Sequence, residues 1–307
     1  MVVKALAARR RSRTWWGMTD PAPFDRRAVR LHRDRAAATV GAVADILQDA
    51  AERLLDRLDD TTRRFTRALD VGGRGVVAPL LRARGIEVVS CDLSARMAAV
   101  NGGACVAADE EWLPFAPASF DLVVASLSLH WVNDLPGALI QLRQALQPDG
   151  LLLATLPALG TLGELRTALT AAEADAMGGA SPRVSPFPDL RDLAGLLQRA
   201  GFALPVADVE SIAVAYANPF ALLRDLRAAG EANAVALRDR RTPPGALFPA
   251  ALAAMPAAEG RVPATLRMAT ITGWAPGPQQ PQPLKPGSGR VSLREAFGDG
   301  TLPAAKG

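Results

Sequence analysis

Short apolar runs alternate with helical segments through the middle of this chain, and that alternation restricts the fold more than any other feature. The apolar runs are predicted strands, at residues 68–71, 87–91, 104–107, 120–126 and 151–156. The segments between them are predicted helices, at residues 76–84, 95–101 and 135–146. Repeated strand–helix units are typical of a parallel sheet with helices on both faces. The sequence therefore predicts an α/β protein with a Rossmann-like sheet.

A glycine-rich turn joins the first of these strands to the first helix, in the stretch ALDVGGRGVVAPLL at 68–81. Gly72, Gly73 and Gly75 follow Asp70, and a turn without side chains lets the backbone approach a ligand. The chain contains no G-x-x-x-x-G-K-[ST] string, so the phosphate cradle with its lysine is not predicted. The turn also lacks the G-x-G-x-x-G spacing of a dinucleotide loop.

An acidic residue stands at the end of three successive predicted strands. Asp70 ends the first, Asp92 ends the second in CDLS, and Asp109 ends the third in ADEEWLPF. In an open α/β sheet, ligands bind beyond the carboxyl ends of the strands. A carboxylate there accepts hydrogen bonds from the two hydroxyls of a ribose. The pattern indicates a nucleoside site at that edge of the sheet.

The chain divides into five predicted parts around this core. Residues 1–19 form a disordered basic leader or a mis-called start, and residues 20–60 form an N-terminal helical extension. Residues 61–160 form the ligand-binding core. Residues 161–275 form a helical lid with the last strands, at 206–216 and 264–274, and residues 276–307 form a tail rich in Pro and Gly. In the extension, apolar spacing predicts one long helix or two shorter ones.

The leader carries most of the excess positive charge. Residues 1–19 hold five of the 35 basic residues and no acid, which leaves 30 basic against 31 acidic residues in the rest of the chain. A nucleic-acid-binding surface needs surplus positive charge on the body of the protein, so we predict no nucleic-acid partner. The leader is expected to be an over-called start before Met18, and an Arg-rich transit segment is the alternative.

Composition excludes several further classes of protein. No stretch approaches about 18 uninterrupted apolar residues, so no membrane span is predicted. The two cysteines, Cys91 and Cys105, are too few for a disulfide framework or a Cys-rich metal site, and a reducing compartment is expected. The oligomeric state is not readable from the sequence.

Several stretches resemble the successive motifs of class I S-adenosylmethionine-dependent methyltransferases: LDVGGRG, CDLS, ADEEWLPF, SFDLVVASLSLHWVND and ALQPDGLLLAT. More narrowly, FDRRAVRLHRDRAA, SLSLHWVNDLPGAL, SPRVSPFPDLRDLAGLLQRAGF and VPATLRMATITGW resemble the family of mitochondrial complex I assembly factor 5, over roughly residues 24–297. That family is one of methyltransferase-fold arginine hydroxylases that act on an NADH dehydrogenase subunit. The middle motifs also resemble the malonyl-acyl-carrier-protein O-methyltransferases.

The resemblance implies an S-adenosylmethionine site and assigns residues to it. The glycine turn is expected to contact the methionine and the ribose, and the end of the second strand the ribose hydroxyls. The end of the third strand is expected to contact the adenine amine, and the end of the fourth strand the sulfonium. In that order the implied residues are Asp70, Gly72, Gly73 and Gly75; Asp92; Asp109; and Ser126 and Leu127. Leu93 and Glu110 are two further cofactor-binding residues that the resemblance implies. The turn of that family usually reads D-x-G-x-G-x-G, whereas residues 70–75 of this chain read D-x-G-G-x-G, which is one residue shorter.

The resemblance also sets the expected function and location. It implies a methyltransferase-fold enzyme that modifies a protein, with an NADH dehydrogenase subunit as the expected partner. Carboxyl O-methylation of an acyl-carrier substrate is one alternative, and an assembly chaperone that keeps the nucleotide fold without catalysis is another. The expected location is the cytoplasm of a bacterium, or the mitochondrial matrix if the source is eukaryotic.

His130 follows the fourth strand and is the predicted catalytic residue, able to orient or deprotonate a substrate. The alternative is a ring hydrogen-bonded to backbone beneath Trp131. His32 and Asp34 form an H-x-D string, but positions i and i+2 of a helix do not share a face, so no metal site is predicted. The arginines of the N-terminal helix are expected on a solvated face, and contact with an acidic partner is the alternative: Arg26, Arg27, Arg30, Arg33 and Arg35.

Overall fold

The computed structural model describes residues 2–4, 22–278 and 280, with only the backbone described for 2–4. Its eight-stranded sheet has the order β1-β4-β3-β2-β5-β6-β8-β7. The strands are β1 (Val2–Lys4), β2 (Arg67–Val71), β3 (Glu87–Asp92), β4 (Ala104–Ala107), β5 (Phe120–Ser126), β6 (Leu146–Pro157), β7 (Ala203–Tyr216) and β8 (Val262–Trp274). Strands β1 to β6 pair in parallel, whereas β8 is antiparallel to both β6 and β7.

Helices cover both faces of the sheet. They are α1 (Arg26–Ala36), α2 (Ala44–Leu55), α3 (Val77–Ala83), α4 (Ala95–Val100), α5 (Leu135–Ala145), α6 (Gly163–Met177), α7 (Leu190–Arg199), α8 (Pro219–Ala228) and α9 (Leu247–Ala253). Short 3-10 turns lie at Val40–Val43, Asp56–Leu58 and Leu129–Trp131. In the described part of the chain, no helix has both the length and the apolar character needed to cross a membrane.

The sequence predicted this architecture closely. The α/β class and the Rossmann-like sheet are confirmed, and the N-terminal extension is two helices rather than one. The sheet also continues further than predicted, because β6 begins at Leu146 and β7 at Ala203. Most of the predicted leader, at residues 1 and 5–19, lies outside the described residues. Most of the predicted tail does so as well. The predicted division into five parts stays a prediction.

The central strand β5 shows why the sheet needs both helical layers. All of its residues are buried. Leu122 and Val124 pack in one apolar cluster with residues of α2 and α3, whereas Val123 and Ala125 pack in another with residues of α5 and α7. Successive side chains of a strand point to opposite faces, so an apolar strand of this kind is stable only between two layers.

Helices cover the carboxyl ends of the strands from two sides. Helix α1 begins at the N-cap Asp25, whose side chain accepts from the Ala28 amide at 3.1 Å, and its buried face includes Arg33. On the other side, helices α6, α8 and α9 share an apolar cluster with β8. These helices and the connecting loop 178–189 are called the lid below.

Candidate active site

The glycine turn after β2 is packed so closely that a side chain would not fit at its glycine positions. Gly72 and Gly75 have φ of 69° and 86°, in the left-handed region that favours glycine. A Cβ on Gly72 would lie 2.6 Å from the Cβ of Ser128, and one on Gly73 would lie 2.2 Å from Asp70 Oδ1. The turn therefore lies directly against the segment that follows β5.

Asp70 ends β2 beneath this turn and is fully buried. Its Oδ2 accepts a hydrogen bond from Ser90 at 3.2 Å, and its Oδ1 has no partner among the described residues. Burial raises the pKa of Asp70 to about 7, because removal from water disfavours the charged form and Ser90 and the Gly73 amide offset only part of that effect. Asp70 is the one acid of the three strand ends that no arginine pairs with in the described structure.

Arg33 of α1 lies at the centre of the strand ends. Its Nη1 donates to Glu110 at 2.6 Å and to Asp92 at 3.3 Å, and its Nη2 donates to the Ser128 carbonyl at 3.4 Å. Nη1 would also lie 3.8 Å from a Cβ on Gly72. The guanidinium thus touches the ends of β3, β4 and β5 and borders the turn after β2. The side chain is fully buried, so the expectation that Arg33 is solvated is wrong.

Arg26 is the first residue of α1 and lies beside the same cluster of acids. It donates to Asp109 at 2.6 Å and to the Trp131 carbonyl at 3.0 Å, and it also pairs with Glu110. Its side chain is largely covered, so the solvated-face prediction is wrong for Arg26 as well. The α1 arginines therefore partner the acids that the sequence assigned to the ribose and the adenine.

Glu110 lies between the two arginines and keeps its negative charge. Burial opposes ionisation of Glu110, but the adjacent Arg26 and Arg33 outweigh burial and hold its pKa at about 2. Burial raises the pKa of Asp92 in spite of Arg33. Buried charges of one sign need partners of the other sign, so the arginines and Glu110 form the ionic centre of the site.

The remaining predicted site residues also lie near the carboxyl ends of the strands. Ser126 is buried at the end of β5, and Leu127 follows with φ of 54°. Leu93 packs against the small apolar cluster that holds Trp131. The predicted residues therefore gather at one edge of the sheet, and their assignment to parts of a cofactor stays a prediction.

The residues suit an adenosyl group in kind. Carboxylates stand at three strand ends, the glycines of the turn have no room for a Cβ, and Asp70 Oδ1 and Ser128 Oγ are buried without partners in the described structure. The space beside Asp92 and Glu110 holds the Arg33 guanidinium. A ribose hydroxyl at Asp92 Oδ2 would therefore share that oxygen with Arg33 or displace it.

A cavity of about 350 Å³ lies between this edge of the sheet and the lid. The acids of the strand ends do not line it. Most of its wall is apolar and comes from the lid and β8, with Leu165, Leu169, Leu222, Phe248, Leu266 and Met268. At its polar end are Arg74 of the glycine turn, His130, Trp131 and Glu231. The cavity thus lies beside the predicted cofactor site and combines an apolar wall with a polar end.

Glu231 organises that polar end. One carboxylate oxygen pairs with Arg74, and the other lies 2.7 Å from both His130 Nε2 and Trp131 Nε1. His130 is therefore hydrogen-bonded to a carboxylate, and the alternative of a ring bonded to backbone is wrong. Burial alone would raise the pKa of Glu231, but His130 and Arg74 hold it below its usual range.

The lid loop is fixed by a second buried carboxylate. Glu173 of α6 accepts from Arg183 at 2.6 Å and from both the amide and the hydroxyl of Ser181. The Arg183 guanidinium also lies 5.8 Å from the centre of the Phe248 ring. Arg183 lines the cavity and is mostly buried, so it holds the loop over the cavity.

Three residues of the site have no signal in the sequence that identifies them. Arg26 and Arg33 belong to an arginine-rich helix in which nothing separates the buried members from the exposed ones. Glu231 follows α8 and Gly230, 101 residues from His130. Within the described residues, no group of three His, Cys, Asp or Glu side chains is arranged to hold a metal ion.

The strand order, with the last strand antiparallel, and the acidic strand ends define a methyltransferase-fold protein. A family model for the methyltransferase domain matches residues 43–205. The structure also resembles phosphoethanolamine N-methyltransferase 2 of Haemonchus contortus, solved with phosphomonomethylethanolamine and S-adenosylhomocysteine. The TM-score is 0.50 at 18% identity, covering 81% of this chain and 60% of that one. At this identity the likeness concerns the fold.

Two curated relatives narrow the family. The mitochondrial arginine-hydroxylase NDUFAF5 of Danio rerio is 36% identical over 320 residues, covering 98% of this chain and 99% of the relative. A malonyl-[acyl-carrier protein] O-methyltransferase of Halorhodospira halophila is 35% identical over 277 residues, covering 84% and 90%. The chain belongs to the NDUFAF5 family of methyltransferase-domain proteins.

Proposed function

We propose that this protein is an enzyme that modifies an arginine side chain of another protein, with S-adenosylmethionine as its cofactor. The observation that carries the proposal is the end-to-end similarity to an arginine hydroxylase in a chain whose acidic strand ends converge on one site. The substrate class follows from the relative's name, and the cofactor follows from the fold and the chemistry of the strand ends.

The residues that would hold the cofactor are those of the strand ends. Asp92 would accept from the ribose hydroxyls, Asp109 would accept from the adenine amine, and the glycine turn would border the methionine. When bound, S-adenosylmethionine supplies a methyl group on a positively charged sulfur. The protein's own contribution is to hold the reacting groups in line and to exclude water beneath the lid.

Hydroxylation also needs an activated form of oxygen. Non-haem iron is typically held by two histidines and a carboxylate. His32 lies on α1, and its Nδ1 has no partner among the described residues, whereas His130 is bound to Glu231. We therefore assign no residue of this chain to oxygen activation, and we place that step outside the proposal.

The proposed partner is an NADH dehydrogenase subunit that presents an arginine. The cavity suits that side chain, because an arginine has an apolar stem and a planar charged tip. The cytoplasm of a bacterium, or the mitochondrial matrix in a eukaryote, is the proposed place of action, and the name of the Danio rerio relative, which is mitochondrial, supports the second.

Two alternatives rest on specific observations. Carboxyl O-methylation is supported by the similarity to the malonyl-[acyl-carrier protein] enzyme, although that similarity covers less of the chain. A chaperone without catalysis is supported by Arg33, which fills the space beside Asp92 and Glu110. The first predicts a methylated carboxyl group, and the second predicts no binding of the cofactor.

Calorimetry with S-adenosylmethionine tests the cofactor, with Asp92→Ala as the variant and Asp49→Ala, an exposed acid on α2, as the control. Binding by wild type and control that is lost in Asp92→Ala supports the proposal, and absence of binding by all three supports the chaperone.

Mass spectrometry of NADH dehydrogenase subunits from a deletion strain then tests the substrate. The proposal expects an arginine that lacks the mass of one oxygen atom or one methylene group, and unchanged subunits would contradict it.

A further inference from the structure

Glu231 fixes which nitrogen of the His130 ring carries hydrogen. The carboxylate is ionised, because its pKa lies below the usual range, and an ionised carboxylate only accepts hydrogen bonds. His130 Nε2 lies 2.7 Å from Glu231 Oε2, so Nε2 must be the donor. Trp131 Nε1 donates to the same oxygen at 2.7 Å and holds the carboxylate in place.

The second nitrogen of the ring, Nδ1, is buried and has no hydrogen-bond partner among the described residues. In a neutral ring with hydrogen on Nε2, Nδ1 carries a lone pair. Buried polar atoms almost always have a partner, so an unpaired one calls for an explanation. Here the protein orients the ring through Glu231 and leaves its basic nitrogen for a bound group.

The lid determines access to that nitrogen. The ring of Phe187, in the lid loop, lies with its centre 6.3 Å from the centre of the His130 ring. His130 lines the cavity of about 350 Å³ and also a second, apolar cavity beside Phe187. A substrate that enters beneath the lid therefore meets the His130 ring.

We propose that His130 and Glu231 form a base dyad, in which His130 Nδ1 takes a proton from the substrate group that is modified and Glu231 is the positioning residue. The proposal rests on the proposed function, since it needs an N–H or O–H group at the polar end of the cavity. In the step, the substrate's N–H or O–H bond breaks and the Nδ1–H bond forms. The electron pair stays on the substrate atom, which becomes the nucleophile, and Glu231 stabilises the imidazolium.

Other charged groups surround the dyad. Glu231 is shared with Arg74 of the glycine turn, and Arg33 of α1 also interacts with it electrostatically. Arg183 of the lid lines the same cavity, but it is paired with Glu173. The Glu231 carboxylate is therefore held by Arg74 and Trp131 as well as by His130.

The chain has only two histidines, which makes the proposal directly measurable. Full-length protein labelled with ¹⁵N-histidine gives two imidazole signals by NMR, and His32→Gln assigns them. We expect hydrogen on Nε2 of His130 in the wild type. In Glu231→Gln we expect loss of that fixed state, because a neutral amide no longer requires a donor at Nε2. Asp225→Asn, another acid that lines the cavity, is the control and should leave the state of His130 unchanged.

Hydrogen on Nδ1 of His130 in the wild type would overturn the dyad, and that measurement holds even if Glu231→Gln fails to fold. The second measurement restores the deletion strain with His130→Gln. Loss of the arginine modification supports the dyad, and full modification overturns it. If wild type itself restores no modification, the proposed function fails, while the NMR result still decides whether Glu231 orients His130.

Discussion

Arg33 Nη1 lies 3.3 Å from Asp92 Oδ2 and 2.6 Å from Glu110 Oε1, so one side chain of α1 joins the ends of β3 and β4. None of the three side chains has meaningful contact with water. A buried ion pair adds little net stability, but removal of one partner leaves the other charge buried and unpaired.

Arg33→Met should therefore lower the free energy of unfolding by about 3–5 kcal/mol at neutral pH. The triple variant with Asp92→Asn and Glu110→Gln should recover much of that loss, because it removes the unpaired charges as well. Chemical denaturation of the single and triple variants measures both values. A loss below about 1 kcal/mol in Arg33→Met would show that the acids are not charged beneath α1.

The same contact predicts a competition for Asp92. If S-adenosylmethionine takes the place of Arg33 beside Asp92, Arg33→Met should lower the dissociation constant by about tenfold, equivalent to about 1.4 kcal/mol. Arg53→Met, at an exposed arginine of α2, is the control. Calorimetry that shows unchanged or weaker binding in Arg33→Met would mean that Arg33 does not occupy the cofactor's place.

The sequence predicted the acidic strand ends because they depend on a local pattern. Parallel strands end at one edge of the sheet, so an acid after each strand must arrive at a common place, as Asp70, Asp92 and Asp109 do. Arg33 and Glu231 depend instead on how α1 and the segment after α8 pack over that edge. Arg33 contacts Asp92, 59 residues away along the chain, and Glu231 contacts His130, 101 residues away. Periodicity and local spacing carry no information on contacts at such separations.

Asp70 predicts a pH dependence of stability. Burial raises its pKa from 3.8 to about 7, so between these values the folded state keeps a proton that the unfolded state has released. Stability therefore falls as the pH rises through this range, by at most about 1.4 kcal/mol per unit. Asp70→Asn removes this contribution, and its free energy of unfolding relative to wild type should increase between about pH 5 and pH 7.

Denaturation at several pH values checks this difference. Glu110, with a pKa of about 2, acts in the opposite direction and loses its contribution only as the pH falls below about 4.5, outside the range compared. A difference between Asp70→Asn and wild type that stays constant with pH would show that Asp70 is ionised throughout.

Gly73 predicts a strict steric requirement in the glycine turn. A Cβ there would lie 2.2 and 2.4 Å from the two carboxylate oxygens of Asp70, so Gly73→Ala must displace a buried side chain beneath the turn. We expect a loss of about 1–3 kcal/mol, as for overpacked cores. Gly41→Ala, where no atom lies within 4 Å of the added Cβ, is the matched control and should be neutral or slightly stabilising in thermal unfolding. Equal melting temperatures for both variants would contradict the close packing of this turn.

Arg183 predicts that the lid is held shut by an ion pair. Glu173 is buried and accepts from Arg183 and Ser181, so Arg183→Ala leaves its carboxylate with fewer partners and favours opening of residues 178–189. A hydrogen bond to a charged group contributes about 1.5–3 kcal/mol, so amide hydrogen exchange in this loop should accelerate by about tenfold or more. Arg191→Ala, at an exposed arginine of α7, is the control. Exchange that accelerates equally in both variants, or that spreads to the strands of the sheet, would show a general loss of stability rather than an opened lid.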